Sequence, residues 1–198
     1  MATSGNGRTT VDFYFDPICP WAWRTSLWIR EVANVRPIDV RWKFLSLEEI
    51  NRLAGTLKES HLQSRGPFRA MVLARRLGGE EAVDRLYLAL GRARHERKED
   101  LSEASVVTVA LREAGLSPDL LEEAMGDPST EEEYLADHRA VVEQGGFGVA
   151  TLVIGGCEPM FGPVIDEVPS GEEAGRLFDH VADLCKMQYF FELKRSRA

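Results

Sequence analysis

Val11-Asp12-Phe13-Tyr14-Phe15-Asp16-Pro17-Ile18-Cys19-Pro20-Trp21-Ala22-Trp23 is the stretch on which the fold turns. Val11 to Phe15 is a short run of β-branched and aromatic residues, which predicts a strand. Asp16-Pro17 breaks it. Pro20 suits the first position of a helix, where its missing N–H costs nothing. From there to about Val35, Trp21, Thr25, Trp28, Ile29 and Val32 recur at helical spacing. Ile38 to Leu45 then alternates, with Ile38, Val40, Trp42 and Phe44 apolar between Asp39, Arg41 and Lys43. That pattern is a half-buried strand. The opening is therefore β-α-β, and a crossover through a helix makes the two strands parallel.

Outward from this unit, the next hundred residues hold no strand pattern. Helices are expected over about 66–77, 80–97, 103–114, 118–125 and 130–144. Ser117-Pro118 reads as an N-cap pair, and Ser129-x-x-Glu132 as a capping box. Gly115, Gly126 and Gly145 stand where helices end. Strands return at Thr151 to Ile154, and Gly155-Gly156 turns the chain into a second short strand over Glu158 to Phe161. Ser170-x-x-Glu173 opens a last helix, Gly171 to about Cys185. The order is β-α-β, a helical block, then β-β-α. Both ends are needed for one sheet and one core. The expected organisation is a flexible N-terminus (1–10), an α/β domain of thioredoxin element order with a four-stranded mixed sheet (11–46 and 146–187), an inserted all-helical subdomain (47–145), and a C-terminal tail (188–198).

Composition narrows the function. The 198 residues carry 24 Lys+Arg against 32 Asp+Glu, a net charge of −8, with 44% hydrophobic and 28% charged residues. This is a globular balance. An acidic chain lacks the basic face that nucleic acid requires, so no nucleic-acid partner is expected. No apolar run is long enough to span a bilayer, and the first ten residues lack a signal peptide's apolar core. A cytoplasmic location and no membrane partner follow as expectations. The aromatic tail (Phe190, Phe191) covers the chain's own sheet or docks on a second copy in a homodimer; the sequence leaves both open. Cys19, Cys157 and Cys185 share no metal-like spacing, and the four His are scattered. No metal site is expected.

Cys19 stands between the first strand and the first helix. There it faces the unpaired N–H groups and the positive end of the helix, which favour thiolate over thiol. A thiolate is the nucleophile of disulfide exchange. Cys157 follows the third strand; four strand residues carry it roughly 13 Å from that strand's start, against the ~7 Å that a disulfide tolerates between Cα atoms. Cys185 ends the last helix and is expected in a core. His61, His138 and His180 are expected at the surface.

The motif Asp16-Pro17-x-Cys19-Pro20-Trp21-x-Trp23-x-Thr25-Ser26-x-Trp28 resembles the DsbA-like thioredoxin-fold oxidoreductases. It is most similar to the mycothiol-dependent nitroreductase group. The likeness recurs at Phe161-Gly162-Pro163-Val164, Pro169-x-Gly171-Glu172-Glu173-Ala174-Gly175 and Phe190-Phe191-Glu192-Leu193-Lys194-Arg195. The resemblance implies a thioredoxin fold with a helical insertion, a nucleophile at Cys19, and mycothiol or a similar small thiol as co-substrate, with no tightly bound cofactor. Two positions depart from the family. Its second cysteine is Ala22 here, so the family's usual internal disulfide cannot form and a monothiol cycle remains. Its cis-proline is Ala150 here, which should be trans, since a cis non-proline bond costs about 3 kcal/mol. Pro20, Trp21, Ala22, Trp23, Ala150 and Thr151 are the thiol- and substrate-binding candidates. His95, in Arg92-Ala93-Arg94-His95-Glu96-Arg97, joins them if it faces the cleft rather than solvent. Two other functions fit a site with one thiol: an isomerase or transferase of the hydroxychromene-carboxylate or kappa-class type, and a non-catalytic thioredoxin-fold binding protein.

Cys19 is predicted to alkylate with a pH midpoint below the free-cysteine value of about 8.5. Cys157 and Cys185 should not. Iodoacetamide rates against pH, read by peptide mass, check this, and a Cys19 midpoint at or above that value removes the basis for a nucleophile there.

Overall fold

The computed structural model describes residues 7–196; residues 1–6, most of the expected flexible N-terminus, and 197–198 lie outside the described residues. β1 (Thr9–Phe15), α1 (Pro20–Val35) and β2 (Ile38–Phe44) form the opening unit. β1 and β2 are parallel, with Phe13 beside Trp42 and Phe15 beside Phe44. β1 begins two residues earlier than its apolar pattern, because Thr9 and Thr10 pair with Ile38 and Asp39. β3 (Thr151–Ile154) runs antiparallel on the other side of β1, and β4 (Met160–Phe161) adds antiparallel to β3. The order β2-β1-β3-β4 is one four-stranded mixed sheet, which is the thioredoxin-like α/β arrangement. α7 (Gly171–Cys185) packs beside α1, and Trp28 Nε1 donates to the Ala174 carbonyl at 3.1 Å.

Between β2 and β3 the described chain is helical: α2 (Leu47–Leu53), a 3-10 turn (Glu59–Ser64), α3 (Arg65–Gly91), one π turn (Arg92–Glu96), α4 (Ala104–Glu113), α5 (Leu120–Gly126) and α6 (Ser129–Val142). α3 joins two expected helices across a kink at Gly78-Gly79, where Gly79 has φ +63°. α6 reaches the sheet through Asp137, which pairs with Lys43 of β2, and α3 reaches it through aromatic rings. Tyr87 of α3 stacks on Phe15 with centroids 3.9 Å apart and meets Trp42 and Trp23 edge-on. Such aromatic pairs stabilise beyond their buried area by about 0.5–1.5 kcal/mol each. Arg30 of α1 lies over the Trp42 ring at 4.5 Å, and Asp84 of α3 pairs with it.

Several local expectations are corrected. Neither capping box forms. Ser170 makes no side-chain cap bond, and Asp127, not Ser129, organises the start of α6 by accepting from the Ser129 N–H and Oγ. An Asx turn ahead of the helix thus takes the Ser129 N–H that the box would have used and engages the Oγ that would have accepted. Gly126 is the last residue of α5 rather than a left-handed cap, whereas Gly115 and Gly145 do adopt φ +72° and +95°. His138 is buried against expectation, since α6 turns that face inward with Tyr134 and Val141. Tyr189, Phe191 and Leu193 are exposed, so that part of the tail does not cover the chain's own sheet.

Gly91 lets α1 and α3 touch. A Cβ there would lie 2.1 Å from the Trp23 ring. Gly91→Ala is therefore predicted to lower the urea midpoint, by roughly 1–3 kcal/mol of overpacking, although alanine is the better helix former by about 1 kcal/mol. An unchanged or raised midpoint would show that Trp23 has room to move.

Candidate functional site

Cys19 is the N-cap of α1, with extended backbone and Pro20 as the first helical residue. Its Sγ accepts from the Ala22 N–H at 3.5 Å, so one of the orphan donors of the helix end points at the sulfur. Across from it lies the Val149 carbonyl, 3.8 Å from Sγ, to which the thiol donates. The thiol is largely covered, while Pro20 is exposed and Trp21 half-buried at the rim. Arg24 lies over the Trp21 ring at 5.0 Å and pairs with Asp166.

The Val149–Ala150 peptide is cis, which corrects the trans expectation. Tertiary hydrogen bonds flank it. The Ala150 carbonyl accepts from the Gly162 N–H at 2.8 Å, and Thr151 is held in the sheet between Tyr14 and Phe161. Thr151 Oγ1 turns back onto the Gly148 carbonyl at 2.7 Å. The backbone group that meets the sulfur is thus Val149, one residue before the candidates Ala150 and Thr151.

Trp23 and Ala22 point inward and are buried. Trp23 stacks on His95, centroids 5.8 Å apart at 19°. His95 leaves the π turn to meet the Pro17 carbonyl at 2.8 Å. A carbonyl only accepts, so Nε2 carries the hydrogen. Burial, with Arg94, Lys98 and Arg24 nearby, pushes the His95 pKa down to about 4 against the opposing bond to Pro17. His95 is thus a neutral donor that steadies the thiol loop, not a solvated helix end.

The sequence reading passed over Asp16. It is fully buried. Its carboxylate accepts from Ser64 Oγ (2.5 Å), the Leu47 N–H (2.8 Å) and the Ile18 N–H (3.2 Å), and its own carbonyl accepts from the Cys19 N–H (3.1 Å). One side chain so ties the thiol loop to the start of α2 and the end of the 3-10 turn. Burial raises its pKa to about 6; the three hydrogen bonds oppose this and Glu48 adds to it. The signal available in the sequence was Asp-Pro ahead of a cysteine, which reads as a strand breaker until the insertion folds over it.

Cys157 is half-buried and Cys185 buried, both free thiols. Burial and then the nearby Cys157 push the Cys185 thiol up to about 11. Neither is at Cys19. Among the described residues no group of three or more His, Cys, Asp or Glu could hold a metal ion, and no helix is long and apolar enough to cross a membrane.

A sheet of this order with one cysteine capping its first helix, and a cis peptide facing the sulfur, defines a thioredoxin-fold protein of DsbA-like build. Solved structures agree on the fold. The cytosolic disulfide reductase DsbM from Pseudomonas aeruginosa shares 17% identity, with TM-score 0.62 over 88% of this chain and 99% of that one. A 2-hydroxychromene-2-carboxylate isomerase matches with 17% identity and TM-score 0.64 over 90% of this chain and 95% of that one. The chain belongs to the Rv2466c-like family, described as mycothiol-dependent nitroreductase Rv2466c, whose model matches residues 18–195. The uncharacterized protein Rv2286c of Mycobacterium tuberculosis is 37% identical over 196 residues, covering 96% of this chain and 83% of that protein. The chain is a thiol oxidoreductase of this type, with a single cysteine at the motif.

The buried Asp16 has a pH signature. Its pKa is higher folded (about 6) than its ordinary 3.8, so its contribution to stability is full below the ordinary value and declines as pH rises through the folded one. Asp16→Asn removes that titration. Relative to wild type, the variant should gain on the order of 2–3 kcal/mol between pH 4 and pH 7. Urea unfolding at both pH values measures it; a difference independent of pH would mean that Asp16 titrates alike in both states.

Proposed function

We propose that Cys19 works as a monothiol nucleophile, with mycothiol or a similar small thiol as co-substrate. The observation that carries this is Ala22: its N–H reaches the Cys19 sulfur where the family's second thiol would stand. In the proposed cycle the Cys19 thiolate attacks the mycothiol sulfur of a substrate–mycothiol mixed disulfide. The Cys19–mycothiol S–S bond forms, the original S–S bond breaks, and the substrate leaves as its thiolate. A second mycothiol thiolate attacks the enzyme-bound mycothiol sulfur, returning Cys19 as thiolate and releasing the mycothiol disulfide. The Ala22 N–H supports the charged sulfur in each half. The Val149 carbonyl holds the S–H of the resting thiol. Trp21 and Pro20 form the approach, Trp23 and His95 brace the loop, and Ala150 and Thr151 set where Val149 sits.

Three free thiols suit a reducing compartment, which supports a cytoplasmic setting. The same missing thiol favours a second reading, a thiol-cofactor isomerase or transferase, in which the small thiol binds without a covalent adduct. Mass spectrometry separates the two. The first reading requires one mycothiol adduct at Cys19 that excess thiol reverses. Tight, non-covalent mycothiol binding would replace it with the second, and no binding at all would leave a fold kept for another ligand.

Ala22→Cys is predicted to restore an internal disulfide, since a helical turn from an N-cap brings the two Cβ atoms to bridging range. The variant should release Cys19-bound mycothiol at least tenfold faster than the parent, because the new thiol attacks intramolecularly. Thiol counting after mild oxidation, with stopped-flow release, checks both. Persistence of both thiols while a small dithiol oxidises would dismiss the thioredoxin-type turn.

A further inference from the structure

Two phenylalanines stand open to solvent on segments that flank Val149, the residue facing the thiol. Phe147 is 66% exposed and Phe161 38% exposed. Their rings stack on each other, centroids 5.2 Å apart at 27°. The stacked pairs Phe15–Tyr87 and Phe68–Tyr134 are buried and serve the core. The open pair is attached to the site from both sides. Phe147 precedes Gly148 and Val149, so a single residue, and at most ~7 Å of chain, separates it from the residue whose carbonyl faces Cys19 Sγ. Phe161 lies opposite Thr151 across the last rung of the sheet.

The surroundings keep this pair together. A Cβ on Gly148 would sit 3.1 Å from the Phe161 ring, so a glycine there is what lets the ring cross the loop. Beyond Phe161 the chain is tied to α1, because Thr25 Oγ1 donates to the Pro163 carbonyl at 2.9 Å. Trp21, in the preceding turn of α1, is the next aromatic at the rim. Among the described residues the two rings stack on each other and on no third ring. Exposed aromatic surface in water favours a flat apolar partner, and offset stacking adds to area burial.

We infer that the Phe147–Phe161 pair is a binding platform for a flat aromatic group carried by the compound that Cys19 attacks, and so sets a preference for aryl over alkyl partners. The inference rests on the reading of Cys19 as nucleophile. Stacking alone would favour the aryl partner by about two- to tenfold in concentration dependence, and the ring area buried adds to this.

The test uses the full chain in a Cys157→Ser background, so that Cys19 is the accessible thiol. Two neutral disulfides serve as probes: 4,4′-dithiodipyridine, which is aryl, and bis(2-hydroxyethyl) disulfide, which is alkyl. In each reaction the Cys19 thiolate bonds to one probe sulfur and the other leaves as a thiolate. Phe147→Ala/Phe161→Ala should raise the half-saturating concentration of the aryl probe about five- to tenfold, leave its maximal rate unchanged, and leave the alkyl probe unaffected. Phe147→Tyr/Phe161→Tyr should retain the preference. Equal losses for both probes, or none for either, would overturn the platform. A Cys19→Ser protein separates the two layers of the argument. Titrated with diphenyl sulfide, which cannot exchange, it should shift the Phe147 and Phe161 ring resonances, and diethyl sulfide should not. If those shifts appear while wild-type Cys19 reacts with neither disulfide, the platform stands and the nucleophile reading falls. Absence of the shifts overturns the platform whatever Cys19 does.

Discussion

A single carboxylate out of contact with water holds the thiol loop to the helical insertion. Asp16 accepts from Ile18 on its own loop, from Leu47 at the start of α2 and from Ser64 at the end of the 3-10 turn. A buried carboxylate is costly unless its lone pairs are met. The demand runs both ways: the insertion must close over the loop to supply the donors, and the loop must keep its turn to present the carboxylate. Cys19 takes its position from that turn, since its N–H is bonded to the Asp16 carbonyl.

The second support is aromatic. Phe15 and Trp42 of the sheet, Tyr87 of α3 and Trp23 of α1 make one continuous ring contact. His95 extends it to the thiol loop through Trp23 and Pro17. Because Gly91 has no side chain, α1 and α3 come close enough for Trp23 to fill the space between them. The thiol therefore rests on packed rings below and a fixed carbonyl, Val149, beside it. Pro20 on the thiol loop is exposed and Trp21 half-buried, while Cys19 itself is largely covered. The sulfur is thus held in place by the fold.

The absent second thiol reads naturally in this frame. Ala22 is buried and its N–H is directed at the sulfur. The helix end thus keeps its influence on Cys19 while no disulfide from Cys19 to position 22 is possible. In the proposed cycle whatever is joined to Cys19 is removed by a thiol from outside, which makes access to the sulfur part of that chemistry.

Element order, the parallel β1–β2 pair, the helical insertion and the place of Cys19 were all legible in the sequence. Each depends on short-range signals: alternation, helical spacing, a proline at the first helical position, paired glycines at a turn. The site's supports were not legible, because they join residues distant in the chain. Asp16 looked like a strand breaker until Leu47 and Ser64 closed on it. His95 looked like a basic helix end until the π turn aimed it at Pro17, and His138 looked exposed until α6 turned it inward. The Val149–Ala150 peptide went against the local rule that only proline adopts cis. Propensity weighs a residue against its neighbours in sequence. Here the groups that flank the cis peptide are bonded to partners distant in the chain, Ala150 to Gly162 and Val149 to Cys19, the latter across more than a hundred residues. Sequence alone determined which residue is the nucleophile candidate and which fold presents it. Tertiary packing decided what faces that sulfur, because the groups that do so meet only when both ends of the chain enter one sheet.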